Sequence, residues 1–203
     1  DSWLKVKQDE KIISTNQHWN SKIRADYKAI DDFKIKEKDL QALYSVGITA
    51  AHVVPEKGII KGQSDLVILS KNPISISESV AQIIEFKASR WSDREYPNSL
   101  LGTIALIRQT IIDCEWYENA RIIANKFPAE NEPIKYNSSL EALEKFRSNR
   151  LPMLFMTKDE HEAIRALNIS DEFNLNPWIL GSGFEYRRLN EIEKHKPFII
   201  LPL

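Results

Sequence analysis

The chain has one cysteine, Cys114, in 203 residues, so no internal disulfide can form and a disulfide-stapled scaffold is excluded, while the redox compartment stays open. An excess of one charge is lacking too, since 28 Lys and Arg stand against 29 Asp and Glu. Without a net basic field, nothing steers the chain toward nucleic acid or an anionic membrane, and only local patches remain for such contacts. No apolar run approaches the roughly 18 residues of a membrane span, and no basic-then-apolar signal segment opens the sequence. The four histidines, His18, His52, His161 and His195, form neither H-x-H nor H-x-x-x-H. A G-x-S-x-G nucleophile motif is missing, and no repeat of 20 to 50 residues or low-complexity tract is visible.

What is present suffices for a globular core, with 42% hydrophobic and 28% charged residues. Residues 1–95 hold short β-branched runs, "ITAAHVV" (48–54), "SDLVILS" (64–70) and "AQIIEF" (81–86), separated by Gly58, Gly62 and "KNP". They predict strands and turns, preceded by one short helix, "EKDLQALYSV", that stops at Gly47. The stretch 96–123 reads as one long helix, although Arg108, Gln109 and Asp113 sit among apolar residues on nearly every side. Gln109 and Asp113 are spaced to pair on its surface. The alternative is that its polar residues bond to neighbouring loops.

After a polar loop and a helix at about 139–148, the pattern becomes regular. Strands are expected at 151–156, 177–180 and 198–203, alternating with helices at 158–173 and 184–195. This β-α-β-α-β order implies a parallel sheet covered by helices, either an open doubly wound sheet or part of a (β/α)8 barrel. The chain begins at Asp1 and stops in the apolar run "PFIILPL", which leads us to expect a piece of a longer protein. A final strand without its neighbour would be hidden by association or by the N-terminal "WLKVKQ".

In α/β folds, ligands sit at the carboxyl ends of the strands. These ends point to Met156 and Thr157, to Gly181, Ser182 and Gly183, and to His52 from the first half. The two glycines of "GSGFEY" precede a helix, where backbone N–H groups could hold an anion. Cys114 falls within a helix and does not suggest a nucleophile.

The segments "VGITAAHVVPEKGIIKGQ", "SLLGTIALIRQTIIDCEWY", "LPMLFMTKDEHEAIRALNISDEFNL" and "PWILGSGFEYRRLNEI" together resemble large bacterial amidohydrolase-superfamily proteins related to imidazolonepropionase. The resemblance runs from about residue 16 to the end. It implies a partial (β/α)8 barrel spanning 1–203, a strand-rich insertion at 55–95, and a helix followed by a βαβαβ barrel segment at 96–203. It also implies a hydrolase acting on amide or cyclic amide C–N bonds, in which a divalent metal such as zinc generates the attacking hydroxide. The family's strand-end histidines fall on Met156 and Ser182, which are poor zinc ligands. This segment is therefore expected to hold no metal and no cofactor, and to be inactive alone. Any metal would belong to the full-length protein. The expected partners are the remainder of its own chain, or a second copy through an open barrel edge. Localisation stays open, with a periplasmic or secreted protein suggested by the resemblance.

A reading of another class rests on Asp65 in one strand and Glu85 and Lys87 in the next. An acid followed by E-x-K on adjacent strands resembles the Mg²⁺ site of restriction-endonuclease-like nucleases, and period-2 geometry puts Glu85 and Lys87 on one face. A hairpin with surface charges explains the same residues.

Overall fold

The computed structural model describes residues 4–7, 16–89 and 95–201. Among these residues the chain is a mixed α/β protein with two sheets and six α-helices. In chain order the elements are β1 (Leu4–Val6), α1 (Ala29–Asp32), α2 (Glu37–Ser45), β2 (Ala50–Pro55), β3 (Ile60–Gln63), β4 (Asp65–Ile68), β5 (Ile74–Ser77) and β6 (Gln82–Glu85). They continue with α3 (Leu100–Lys126), α4 (Ser138–Ser148), β7 (Pro152–Met156), α5 (Glu160–Glu172), β8 (Asn176–Leu180), α6 (Leu189–Ile192) and β9 (Phe198–Ile200). Short 3₁₀ turns flank α6 on both sides.

The first sheet has the order β1-β2-β4-β5 and the second β3-β6-β7-β8-β9. In the second, β6, β7, β8 and β9 run parallel, with Ile84 opposite Phe155, Phe155 opposite Ile179, and Ile179 opposite Ile199. Parallel neighbours need crossover connections, and α3 with α4, then α5, then α6 supply them. Alternation gives each strand two apolar faces. Ile84, Met153, Phe155 and Ile179 pack with Leu106, Ile107, Leu143, Phe146 and Leu167 of the helices. Ile83, Leu154, Trp178, Leu180 and Ile200 face the other way, where Val54 of β2 packs against them. Burying a side chain such as Phe155, fully removed from water, stabilises the fold by about 1.5–3 kcal/mol.

The three longest helices, α3, α4 and α5, start at side-chain caps. Ser99 accepts from the Gly102 N–H at 3.1 Å, Asn137 from Leu140 at 3.0 Å, and Asp159 from Glu162 at 2.7 Å. The polar residues Arg108, Gln109 and Asp113 of α3 pair on its own surface and with a neighbouring helix rather than with loops. Gln109 donates to Asp113 at 2.7 Å on the helix surface, whereas Arg108 pairs with Glu172 of α5. Arg147 of α4 pairs with Glu115 and Glu118, so ion pairs join α3 to both neighbouring helices.

The strands of the first half are distributed over both sheets, and one expectation requires correction. Of the strands in the strand-rich stretch expected at 55–95, β3 and β6 join the parallel strands, while β4 and β5 belong to the other sheet. Residues 90–94 of that span lie outside the described residues. The N-terminal segment does not cover the last strand, because Leu4, Lys5 and Val6 pair with Val53, Val54 and Pro55 of β2. Trp3, Gln8 and the last two residues of the strand expected at 198–203 lie outside the described residues.

Candidate functional site

Lys61 is placed by a bulge. In the β3–β6 ladder, Ile60 opposes Ile84 and Gly62 opposes the next residue, Ile83, so Lys61 is the extra residue on its strand. Such a bulge bends the strand and re-aims a side chain. It depends on Gly62, whose φ of 125° lies in the region favouring glycine and whose missing Cβ would stand 2.4 Å from the Tyr27 carbonyl oxygen. The re-aimed Lys61 Nζ lies 2.5 Å from Glu85 Oε2 at the end of β6, and donates to Met156 Sδ at 3.6 Å at the end of β7. The pair is well shielded, with side-chain exposures of 3% for Lys61 and 16% for Glu85. Burial pushes the Lys61 ammonium below its usual range and the Glu85 charge opposes that shift.

The loops after β7 and β8 complete this end of the sheet. Thr157 Oγ1 donates to the Leu180 carbonyl at 3.0 Å, tying the two strand ends together. Glu162, in the first turn of α5, accepts from the Lys158 N–H at 2.9 Å. Burial raises its carboxyl above the ordinary range, and the negative charge of Glu85 adds to the effect. After β8, the turn at Gly181, Ser182 and Gly183 is filled by the chain's own carboxylate. Glu185 accepts from Ser182 N at 2.6 Å, Gly183 N at 2.9 Å and Ser182 Oγ at 2.9 Å. Burial alone would raise the Glu185 carboxyl, but these donors outweigh it and hold it below the ordinary value. A Cβ on Gly181 would lie 3.2 Å from that carboxylate, which explains the glycine there. The expected anion-binding turn is thus occupied from within.

The other sequence-derived candidates lie elsewhere. His52 sits within β2 of the first sheet, with Nε2 2.7 Å from Ser64 Oγ, and burial lowers its pKa to about 4. Asp65 is fully buried and accepts from the N–H groups of Ile30 and Ser79 at 3.1 and 3.0 Å, which fastens α1 and the turn after β5 to β4. The adjacency expected of the Asp65 and Glu85 strands is not found, because β4 and β6 lie in different sheets. Lys87 is exposed beyond the end of β6, and it is Lys61 that pairs with Glu85. Cys114 is buried in α3, and burial pushes its thiol up to about 12.

The residues at the strand ends do not fit a catalytic zinc. Met156 is engaged by Lys61, and the hydroxyl of Ser182 is bonded to Glu185. Among the described residues no group of three His, Cys, Asp or Glu could hold a metal ion. Sequence reasoning located Met156, Thr157 and Ser182 at this end but missed Lys61, Glu162 and Glu185. The Gly58 and Gly62 spacing around "IIK" was the available signal for the bulge.

No protein-family model matches the chain, and no curated protein does. Among solved structures, the chain is similar to an amidohydrolase from Thermotoga maritima MSB8, with a TM-score of 0.77 and 17% identity. The likeness covers 93% of this chain and 51% of that one, so the chain spans about half the length of the structure it matches. At this identity the likeness is one of fold.

Proposed function

We propose that the chain supplies one part of a (β/α)8-type barrel in a hydrolase that cleaves C–N bonds of amides or cyclic amides. The fold likeness supports the class, and the observation that carries the reading is the Lys61–Glu85 pair, held by a bulge at the carboxyl ends of parallel strands. C–N hydrolysis needs a positive group for the negative charge that grows on the carbonyl oxygen, and a proton for the departing amine. In this reading the Lys61 ammonium faces the developing oxyanion, and the Glu85 carboxylate takes a proton from the attacking water and passes it to the departing amine as the C–N bond breaks. Met156, Thr157 and the 181–183 turn form the substrate-facing rim. Metal-ligand histidines, where a metal serves, come from outside these residues, and the 203-residue chain alone does not turn over substrate.

The partner in this reading is whatever completes the barrel: further polypeptide, or a second copy at the β9 edge. Among the described residues β9 is paired on one side only, and Phe198 and Leu201 are 57% and 65% exposed. The test is an assay for amine release from a panel of linear and cyclic amides, using protein isolated at native length from its natural source, with and without added zinc. Turnover of at least one amide is expected. No turnover of any C–N bond, together with Mg²⁺-dependent DNA cleavage, would overturn the reading.

A further inference from the structure

α3 runs for 27 residues, about 40 Å at 1.5 Å per residue, and one face of it is exposed along its whole length. Leu101, Ala105, Ile112, Trp116, Ile123 and the C-cap Phe127 recur on that face at alternating steps of four and seven residues. Gln109 and Asn119 fill the wider steps. Leu101 is 77% exposed, Trp116 61% and Ile123 52%. None of these eight positions carries a charge, although 28% of the residues in the chain do. A solvent-facing helix stripe is ordinarily polar and charged, whereas loss of charge together with aromatic residues marks the centre of an interface. Arg108, Glu115 and Glu118, beside the stripe, are held by Glu172 of α5 and Arg147 of α4.

The polarity of the stripe is also symmetric about Cys114. Leu101 and Phe127 stand thirteen residues before and after it, Ala105 and Ile123 nine, Gln109 and Asn119 five, and Ile112 and Trp116 two. Two copies of α3 laid antiparallel with Cys114 at the midpoint therefore set apolar residues opposite apolar ones and an amide opposite an amide. Each apolar pair joins a smaller side chain to a larger one, Leu101 to Phe127, Ala105 to Ile123 and Ile112 to Trp116, which is how facing surfaces interdigitate. Parallel pairing would instead set indole against indole and Ala105 against Ala105, and would lay the two helix dipoles side by side in the same direction.

We infer that the exposed face of α3 binds the same face of a second copy of this chain, in an antiparallel, two-fold symmetric pair. In such an interface each contact occurs twice, so Ile112 of each chain meets Trp116 of the other. The stripe alone offers about 400 Å² a side, from its length and a width of about 10 Å. The exposed rings of Trp19 and Tyr136, which share a cleft with Trp116, widen the patch toward the roughly 800 Å² a side of a standard interface. This contact is separate from the β9 edge and does not depend on the hydrolase reading.

The test is sedimentation velocity of the 203-residue chain and of the native-length protein at about 100 µM. Dimers are expected in both. Ile112→Lys and Trp116→Glu, at exposed positions, should each weaken dimerisation by about ten-fold or more with circular dichroism unchanged, while Phe198→Lys at the β9 edge should leave the dimer intact. Mixing the Ile112→Lys and Trp116→Glu proteins should restore a dimer, because antiparallel pairing sets the new lysine of one chain opposite the new glutamate of the other and keeps one native contact between Trp116 and Ile112. The inference is overturned if the chain is monomeric at this concentration, or if the native-length protein is monomeric while the 203-residue chain dimerises, further polypeptide then covering α3. A dimer that Phe198→Lys abolishes and the α3 variants leave untouched would overturn it as well. So would a mixture of the two variants that stays monomeric, as parallel pairing requires.

Discussion

Lys61 Nζ lies 2.5 Å from Glu85 Oε2, across the one irregularity in the β3–β6 ladder. Two charges this well shielded carry a large desolvation penalty that only their mutual attraction and hydrogen bonds offset. Removing one partner strands the other. Lys61→Met or Glu85→Leu alone should therefore destabilise the protein by about 3–5 kcal/mol, while the double substitution should come out near neutral. Chemical denaturation of the two single variants and the double variant checks this. Additive losses in the double variant would show that the two groups do not act as a pair.

The Glu185 carboxylate should make stability depend on acid. Its pKa in the folded chain is depressed below the ordinary 4.5. It therefore contributes stability that is present above pH 4.5 and is lost as pH falls through the folded value. Glu185→Gln should cost about 1–3 kcal/mol at neutral pH, through weakened acceptance from Ser182 and Gly183, and should flatten the acid limb of the stability profile. An unchanged acid limb would remove Glu185 from this role.

His52 acts in a higher window. Its folded pKa of about 4 lies below the ordinary 6.5, so protonation favours the unfolded chain. Stability should fall as pH drops from 6.5 toward 4, and His52→Gln should remove that slope. Thermal melts across this interval, compared between the two proteins, decide the matter.

Asp65 should prove structural. Asp65→Ala leaves the N–H groups of Ile30 and Ser79 without their acceptor, and should cost about 2–4 kcal/mol, read as a lower denaturation midpoint with an unchanged slope. A variant as stable as the parent that had lost a Mg²⁺-dependent DNA cleavage activity would instead restore the nuclease reading.

The regular last third was legible because its signals are local. Apolar runs of five or six residues alternate with amphipathic helices, and the observed β7, α5, β8 and β9 fall where that pattern puts them. α3 was legible for the same reason, down to the Gln109–Asp113 pair. The first half was harder. Gly58 and Gly62 look like punctuation, yet Gly62 lies inside β3 and makes its bulge, while "ISIS" is a short, largely exposed β5. Partition of neighbouring strands between two sheets is decided by long-range pairing, which no local pattern carries. The segment 184–195, expected as one helix, is broken into 3₁₀ and α turns. Within the first of these turns, Glu185 folds back onto Ser182 and Gly183.

The site divides in the same way. Met156, Thr157 and Ser182 could be placed at strand ends from spacing alone. Lys61 reaches them from a strand some 95 residues earlier, through a contact with Met156 that only the folded chain makes.

The most direct test of the central claim is kinetic. On the amide that the native-length protein hydrolyses fastest, kcat/KM should be compared between the parent and the Lys61→Met, Glu85→Leu double variant, whose stability is expected to match. The account predicts a fall of about a hundred-fold or more, the scale on which removing one stabiliser of a growing oxyanion acts. A folded double variant that hydrolyses the amide at the parental rate would contradict it.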